Sequence, residues 1–147
     1  EVTTRLIKDF SQIVGMKDST GNLWNNFKSK NFSMFVGSEK KLIENLKFGG
    51  AGVISATTNF SGSLAKKVYD DFKKTGSSNE YEKLKDIRSA FDETGNLITA
   101  LHTLKSIENK AYANLLPPLE LLNENKKDEL VKKLKGLGVL NNKNMAA

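Results

Sequence analysis

The residue best suited to covalent chemistry in this sequence is Lys17, which directly follows an apolar run at residues 13–16. A lysine at the end of a buried strand is drawn away from solvent, which favours the neutral amine that attacks carbonyl carbons. The same position also suits a lysine that buries its aliphatic stem and keeps its ammonium group in water. The sequence spacing alone leaves both interpretations open.

Small residues recur at comparable points further along the chain. Gly37 and Gly52 border two later apolar runs, where a missing side chain leaves room for a ligand or allows a turn. Ser19, Ser38 and Ser55 lie at or just beyond the ends of the apolar runs. Their hydroxyl groups could donate hydrogen bonds to a carboxylate or a sugar hydroxyl, although Ser19 and Ser38 are equally suited to helix capping.

Composition disfavours several other kinds of site. The chain has no cysteine, which excludes disulfides, thiolate metal sites and cysteine nucleophiles. Its single histidine, His102, lies inside a predicted helix with no nucleophile at motif spacing, so we interpret it as structural or solvent-facing. The adjacent Asp70 and Asp71 fit a solvated helix face better than a metal site. We therefore expect neither a metal ion nor a cofactor.

The charge of the chain suits a solvated surface. The chain carries 23 lysines and arginines against 17 acidic residues, a net charge of +6. Arginine occurs only at Arg5 and Arg88, and the lysines are scattered, several of them beside acidic residues, which disfavours a nucleic-acid partner. A basic nucleic-acid-binding module is the alternative, and it predicts an affinity that falls steeply with salt. No apolar run approaches a membrane span and no signal-peptide pattern occurs, so we expect a cytoplasmic protein without a membrane partner.

Three apolar runs, centred near residues 14, 35 and 54, alternate with helical patterns and predict parallel strands buried on both faces. Short helices are predicted over residues 23–28 and 40–48, and a longer one ends near residue 75. Three further helices are predicted over residues 80–93, 97–113 and 124–137. Three parallel strands leave two unpaired edges, so we expect a larger sheet or closed barrel whose missing strands precede Glu1.

Four segments resemble the dihydrodipicolinate synthase/N-acetylneuraminate lyase family in order and spacing. The first, at residues 15–22, looks like the Schiff-base signature of that family, with Lys17 as its lysine. The segments at residues 35–39 and 49–59 resemble strands seven and eight of the family. The Leu116-Pro117-Pro118-Leu119 segment and the helix after it resemble the C-terminal extension.

The resemblance implies an α/β fold that is the C-terminal part, strands six to eight, of a (β/α)8 TIM barrel followed by a three-helix extension. Residues 1–76 would be the barrel portion and residues 77–147 the helical extension. The family's strand-two threonines and strand-five tyrosine, which hold the carboxylate and transfer protons, are not in this chain. The N-terminal half of the barrel is accordingly an expected partner.

The resemblance also implies a class I aldolase, a carbon–carbon lyase, in which Lys17 forms a Schiff base with pyruvate or a related 2-oxo acid. Gly37 and Ile54 fall where family members line the pyruvate site, and Ser19 falls where sugar-acid aldolases place a hydroxyl residue near the substrate. Lys-Asp-Ser at residues 17–19 favours a 2-keto-3-deoxy sugar acid aldolase. Glu39 stands where the family usually has aspartate. The family resemblance also leads us to expect a homo-oligomer, a dimer or tetramer.

Two alternatives remain beside the sugar-acid aldolase. The chain could be a dihydrodipicolinate synthase, although such synthases more often have Lys-Glu at the position of Lys17-Asp18. It could also be a non-catalytic fragment or assembly subunit, which would bind a complementary N-terminal half and be inert alone.

Overall fold

The computed structural model describes residues 2–26 and 31–140, and over these residues the chain is an α/β protein. Its regular elements are, in chain order, α1 (Val2–Asp9), β1 (Gly15–Asp18), β2 (Ser33–Val36), α2 (Leu42–Phe48), β3 (Gly52–Val53), α3 (Thr58–Thr75), α4 (Tyr81–Asp92), α5 (Leu97–Glu108) and α6 (Glu124–Gly136). Short 3-10 turns at Glu39–Lys41 and Lys110–Ala113 precede α2 and follow α5. None of the helices within these ranges is both long and apolar enough to cross a membrane.

The three strands form one parallel sheet in the order β1-β2-β3, which confirms the predicted parallel pairing. Lys17 is paired with Phe35, and Phe35 with Gly52. The ladder continues one residue past the strand ends, because the Gly37 amide donates to the Asp18 carbonyl (2.8 Å). The carboxyl ends of all three strands therefore lie along one edge of the sheet.

The two faces of this sheet differ, because successive side chains of a strand point to opposite sides. One face packs into an apolar cluster whose buried members are Trp24, Phe32, Met34 and Val36. The other face is open: Ser33 and Lys17 are exposed, and Phe35 is only partly buried. Within the described residues one face of the sheet is therefore covered and the other is open, and burial of both faces in a larger sheet or barrel stays a prediction.

The chain divides into two compact units. The first contains the chain up to Ser55 together with Ala65–Tyr81, and holds the sheet. The second contains Ala56–Leu64 and the chain from Glu82 onward. The core of the second unit is built by α4, α5, α6 and the segment after α6 from ten buried residues, namely Ile87, Ala90, Phe91, Ala100, Leu101, Leu104, Leu130, Val131, Leu134 and Leu140.

Four predicted elements differ from the observed ones. The first strand, predicted from the run centred near residue 14, begins only at Gly15 and includes Lys17. Residues 23–26 form a turn and not a helix, whereas the rest of that predicted helix, residues 27–28, lies outside the described residues. The third strand is limited to Gly52–Val53. The helix predicted over residues 97–113 ends at Glu108, because Asn109 is extended and its side chain accepts the Ala111 amide to begin a new turn.

Candidate functional site

Lys17 lies on the open face of the sheet, one residue before the carboxyl end of β1. Within the described residues its side chain is exposed, and withdrawal from solvent in a completed barrel stays a prediction. The reason for the exposure is the strand alternation: Met16 and Asp18 point toward the packed side of the sheet, and Lys17 points away from it. An exposed amine at this edge is free to meet a small molecule that approaches the open face.

Gly37 lies directly against Lys17. A Cβ atom built on Gly37 would be 3.3 Å from Lys17 Cε and 3.0 Å from Ser19 Cα. The structure therefore brings Lys17, Ser19 and Gly37 together at the ends of β1 and β2. A side chain larger than hydrogen at residue 37 would occupy space beside the lysine stem.

Ile54 lies at the end of the third strand, on the same face as Lys17. Its amide donates to the Val36 carbonyl (2.9 Å), which extends the ladder beyond β3. The side chain is 49% exposed, because it points to the open side of the sheet while Val53 packs into the apolar cluster. The face thus presents an amine, a glycine gap and an aliphatic side chain in neighbouring strands.

Asp18 is not among the predicted site residues, although residues 18–22 together have the composition of a turn and cap. Its side chain is 3% exposed and accepts five hydrogen bonds among the described residues. The donors are the Thr20 hydroxyl and the amides of residues 20, 21, 23 and 24, at 2.7–3.2 Å. An aspartate followed by Ser-Thr-Gly has the composition of a side-chain-stabilised turn, and this is the signal that could have found it.

Asp18, and not Ser19, caps the turn that follows β1. Capping by Ser19 was the alternative to a substrate role, but the amides of Leu23 and Trp24 both donate to Asp18 Oδ2, at 2.8 and 3.0 Å. Ser19 is exposed beside Gly37. Capping by Ser38 is confirmed, since its hydroxyl accepts the Lys40 amide at 3.4 Å.

A buried polar pair links the segments after β2 and β3. Glu39 is 0% exposed, and its Oε2 accepts a hydrogen bond from the Ser55 hydroxyl at 3.0 Å. Glu39 follows Gly37 by two residues and Ser55 directly follows Ile54. The pair therefore ties together the two segments that carry Gly37 and Ile54. The strand-end serine was noticed in the sequence, but its partner could not be read from it.

Asp18 gives the fold a predictable dependence on pH. Burial raises the pKa of its carboxyl group, but the hydrogen bonds from Thr20, Leu23 and Trp24 outweigh burial and lower that pKa from 3.8 to about 2. A lowered pKa means stabilisation that is complete above about pH 4 and is lost as the pH falls toward 2. We expect Asp18→Asn to lower the free energy of unfolding by about 2 kcal/mol at pH 6 and by progressively less below pH 4.

Denaturant unfolding of both proteins from pH 6 to pH 2 measures this difference. Asp9→Asn is the matched control, because Asp9 is exposed at the end of α1. A constant difference between wild type and Asp18→Asn down to pH 2 would contradict the role given to the ionised carboxylate.

We expect Gly37→Ala to lower the stability of the fold and to slow the reaction of the Lys17 amine. The added methyl group would lie 3.1 Å from the Asp18 carbonyl oxygen and 3.3 Å from Lys17 Cε, so the strand ends must separate slightly. We expect a loss of about 1–3 kcal/mol in the free energy of unfolding and slower modification of Lys17 by carbonyl compounds. Gly62→Ala is the control, because a Cβ at residue 62 meets nothing within 4 Å. Equal behaviour of the two variants would show that Gly37 leaves no functional gap.

A metal site finds no support in the described residues, where no group of three histidine or acidic side chains could hold an ion. His102 instead makes a hydrogen bond through Nδ1 to the Tyr112 carbonyl at 2.8 Å.

Comparison with known proteins places the sequence in a family. The sequence matches the dihydrodipicolinate synthetase family over residues 1–137. A 4-hydroxy-tetrahydrodipicolinate synthase of Methanopyrus kandleri is 28% identical, over 95% of this chain and 49% of its own length. The enzyme of the same name from Buchnera aphidicola is 31% identical, with the same coverage of both chains.

Solved structures share the fold. A prophage protein of the dihydrodipicolinic acid synthase family from E. coli K12, solved in complex with pyruvate, superposes with a TM-score of 0.80 at 19% identity. The match covers 92% of this chain and 50% of that protein. N-acetylneuraminate lyase from Fusobacterium nucleatum gives a TM-score of 0.77 at 16% identity, covering 92% of this chain and 49% of the lyase.

An open parallel-sheet edge that carries a lysine and a glycine gap defines a candidate carbonyl-binding site on an α/β fold. The chain belongs to the dihydrodipicolinate synthetase family, which is made up of class I pyruvate-dependent lyases and synthases. It spans about half the length of the curated relatives that it matches.

Proposed function

We propose that this chain supplies one half of the active site of a Schiff-base-forming, pyruvate-dependent class I aldolase, with Lys17 as the nucleophile. The observation that carries the proposal is the position of Lys17 on the open sheet face, with Gly37 against its Cε atom. Family membership supports the proposal independently, because the family's enzymes act on pyruvate as class I lyases and synthases.

The chemistry follows from an amine and a 2-oxo acid. The Lys17 nitrogen adds to the ketone carbon, and loss of water gives a protonated Schiff base. In the cleavage direction, the hydroxyl group on the fourth substrate carbon gives up its proton to a base and becomes the aldehyde carbonyl. The bond between the third and fourth carbons breaks, and its electron pair moves toward the iminium nitrogen. The aldehyde leaves, and the resulting enamine takes up a proton and is hydrolysed to pyruvate and free Lys17. Condensation is the reverse of these steps.

The remaining predicted site residues receive roles on the same face. Gly37 leaves space beside the lysine stem for the methyl end of pyruvate, and Ile54 supplies an apolar wall. Ser19 is exposed beside Gly37 and offers a hydroxyl group to the aldehyde portion of the substrate. The shared location of all four residues at one edge of the sheet supports these proposed contacts.

We further propose that β1 to β3 are strands six to eight of a closed (β/α)8 barrel. Residues 1–76 would be its C-terminal portion and residues 77–147 a helical extension. The exposed face that carries Lys17 and Ile54 would then line the barrel interior. The half of the protein that completes the barrel would supply the groups that bind the carboxylate and transfer protons. Further copies of the protein would complete a homo-oligomer.

Reductive trapping in the complete protein tests the nucleophile. Incubation with pyruvate and borohydride should leave one stable adduct, and peptide mass spectrometry should locate it at Lys17. Omitting pyruvate is the control. An adduct on a different lysine, or none, would refute the proposal.

The second part of the proposal concerns which aldehyde condenses with pyruvate. The Lys-Asp-Ser sequence at residues 17–19 favours a hydroxylated aldehyde and hence a 2-keto-3-deoxy sugar acid. The names of the two curated relatives favour the alternative, a 4-hydroxy-tetrahydrodipicolinate synthase. The nitrogen-containing ring in that product requires an aldehyde that carries an amino group. Direct competition between a hydroxylated and an amino aldehyde, measured as kcat/KM with pyruvate, separates the two.

Ser19→Ala provides a second test of the partner. A neutral hydrogen bond contributes about 0.5–1.5 kcal/mol, so kcat/KM for a hydroxylated aldehyde should fall several-fold, by about ten at most. Adduct formation with pyruvate alone should be unchanged. Equal losses with hydroxylated and unsubstituted aldehydes would exclude a contact between Ser19 and a substrate hydroxyl.

A non-catalytic assembly role is the second candidate, favoured by the fact that the chain spans about half of its curated relatives. It predicts that the complete protein forms no pyruvate adduct, although it still associates with an N-terminal half-barrel. The trapping experiment therefore also decides between the two functions.

A further inference from the structure

The turn between β1 and Trp24 is built around one carboxylate. Asp18 Oδ1 accepts hydrogen bonds from the Thr20 hydroxyl (2.7 Å) and from the amides of Thr20 and Gly21. Asp18 Oδ2 accepts hydrogen bonds from the amides of Leu23 and Trp24. Because an ionised carboxylate only accepts hydrogen bonds, it can satisfy all these donors together. An amide group in its place would direct its own NH₂ donors at backbone N–H groups.

The turn is also attached to its surroundings at both ends. At one end the Trp24 side chain is buried in the apolar cluster and meets the Phe48 ring edge-on, with ring centroids 5.8 Å apart. At the other end the Asp18 carbonyl accepts the Gly37 amide at 2.8 Å. The residue that directly precedes this anchored turn is Lys17. Its backbone thus lies between a hydrogen-bonded ladder and a fixed turn.

From these contacts we propose that Asp18 is a positioning residue for the Lys17 amine, and that the Thr20 hydroxyl is the partner that keeps the Asp18 carboxylate in place. The inference rests on the proposed function, since it assigns Asp18 to the Schiff-base step. Asp18 points to the packed side of the sheet, so it acts through the backbone and Gly37 and not through contact with substrate.

The physical reason lies in the geometry of attack. Lysine reaches its target through a flexible four-carbon stem, so the direction of the amine depends on where the Lys17 Cα and the adjacent Gly37 are held. Displacement of a reacting group by about 1 Å costs up to about 100-fold in rate. A loosened turn would let the end of β1 move relative to Gly37. The rate of adduct formation would then fall, although no contact with pyruvate is lost.

Variants of the complete protein test this role. Asp18→Asn removes the carboxylate, Thr20→Val removes the hydroxyl donor while keeping the shape, and Thr20→Ser restores the hydroxyl. Val68→Ala is the control for stability alone, because Val68 is fully buried in α3 and outside the turn. For each variant, the rate constant of borohydride-trapped pyruvate adduct formation is measured across pyruvate concentrations, at temperatures below its melting temperature.

We expect the rate constant at saturating pyruvate to fall about 10- to 100-fold in Asp18→Asn and by a smaller factor in Thr20→Val. The half-saturating pyruvate concentration should change by less than about twofold, since Asp18 does not touch pyruvate. Thr20→Ser should return to the wild-type rate. Val68→Ala should lower the melting temperature without changing the rate.

The outcomes separate this inference from the proposed function. Wild-type protein that forms no adduct overturns both. Wild-type adduct formation with an unchanged rate in Thr20→Val and in folded Asp18→Asn overturns the positioning role alone. Thr20→Val decides the question if Asp18→Asn does not fold. A rate loss in Val68→Ala equal to that in Thr20→Val would also overturn the positioning role, because stability would then explain the loss.

Discussion

Lys17→Arg is expected to abolish the reducible pyruvate adduct in the complete protein and to lower kcat/KM for aldol cleavage by about a thousandfold or more. Arginine keeps the positive charge and much of the length of lysine. Its guanidinium group remains protonated, however, and offers no lone pair for attack on a ketone carbon. Loss of the nucleophile removes the covalent route entirely, so no partial activity through a Schiff base should remain.

The substitution should leave the fold intact, because Lys17 is exposed on the open face of the sheet. Equal melting temperatures of wild type and Lys17→Arg would establish this. Lys47→Arg is the matched control, since Lys47 is an exposed lysine on α2 away from the strand ends. An adduct that persists in Lys17→Arg would place the nucleophile elsewhere and refute the assignment.

The order of the strands could be predicted from the sequence, but the exposure of their faces could not. Apolar runs separated by helical patterns are enough to indicate a parallel sheet, which the structure confirms. Residue type, however, does not say which layer covers a side chain. Val14 is 63% exposed although it lies in an apolar run, and Lys17 is exposed at the end of the same run.

The sequence also could not show which of three neighbouring polar residues caps the turn after β1. Asp18, Ser19 and Thr20 are consecutive, and each carries an oxygen that can accept backbone amides. Only Asp18 alternates to the packed side of the sheet, where the amides of residues 20, 21, 23 and 24 converge on it. Serine is common at helix starts, which makes Ser19 a capping candidate. Because side chains alternate along β1, however, it is Asp18 that caps the turn.

Contacts between distant segments also could not be predicted from the sequence. Asn45, on α2, is 0% exposed and donates from Nδ2 to the Met34 carbonyl (3.2 Å) and the Gly52 carbonyl (2.9 Å). Its side chain thus bridges β2 and β3 beside the direct hydrogen bond that the Ala51 amide donates to the Met34 carbonyl (2.8 Å). The glycine-rich segment before β3 indicates a turn. The sequence does not show, however, that residue 50 must be glycine because the Asn45 side chain lies against it.

Gly50→Ala is expected to be the most destabilising single methyl addition described here. A Cβ on Gly50 would lie 1.9 Å from Asn45 Oδ1 and 2.3 Å from Asn45 Cγ, so the amide must leave its site. Both hydrogen bonds from Asn45 Nδ2 would then be lost, although the Met34 carbonyl would keep the Ala51 amide as a donor. Overpacking together with the loss of these two buried hydrogen bonds should lower the free energy of unfolding by about 3 kcal/mol or more. Denaturant unfolding measures this loss, with Gly62→Ala as the uncrowded control.

A double-mutant cycle then identifies the cause. Asn45→Ala should be destabilising alone, because it removes both hydrogen bonds to the strand carbonyls. In that background the methyl group of Gly50→Ala meets empty space and should cost little more. The double variant should therefore be more stable than the sum of the two single losses implies, by about 1–3 kcal/mol. Strictly additive losses would show that residue 50 needs glycine for its backbone and not for the Asn45 bridge between β2 and β3.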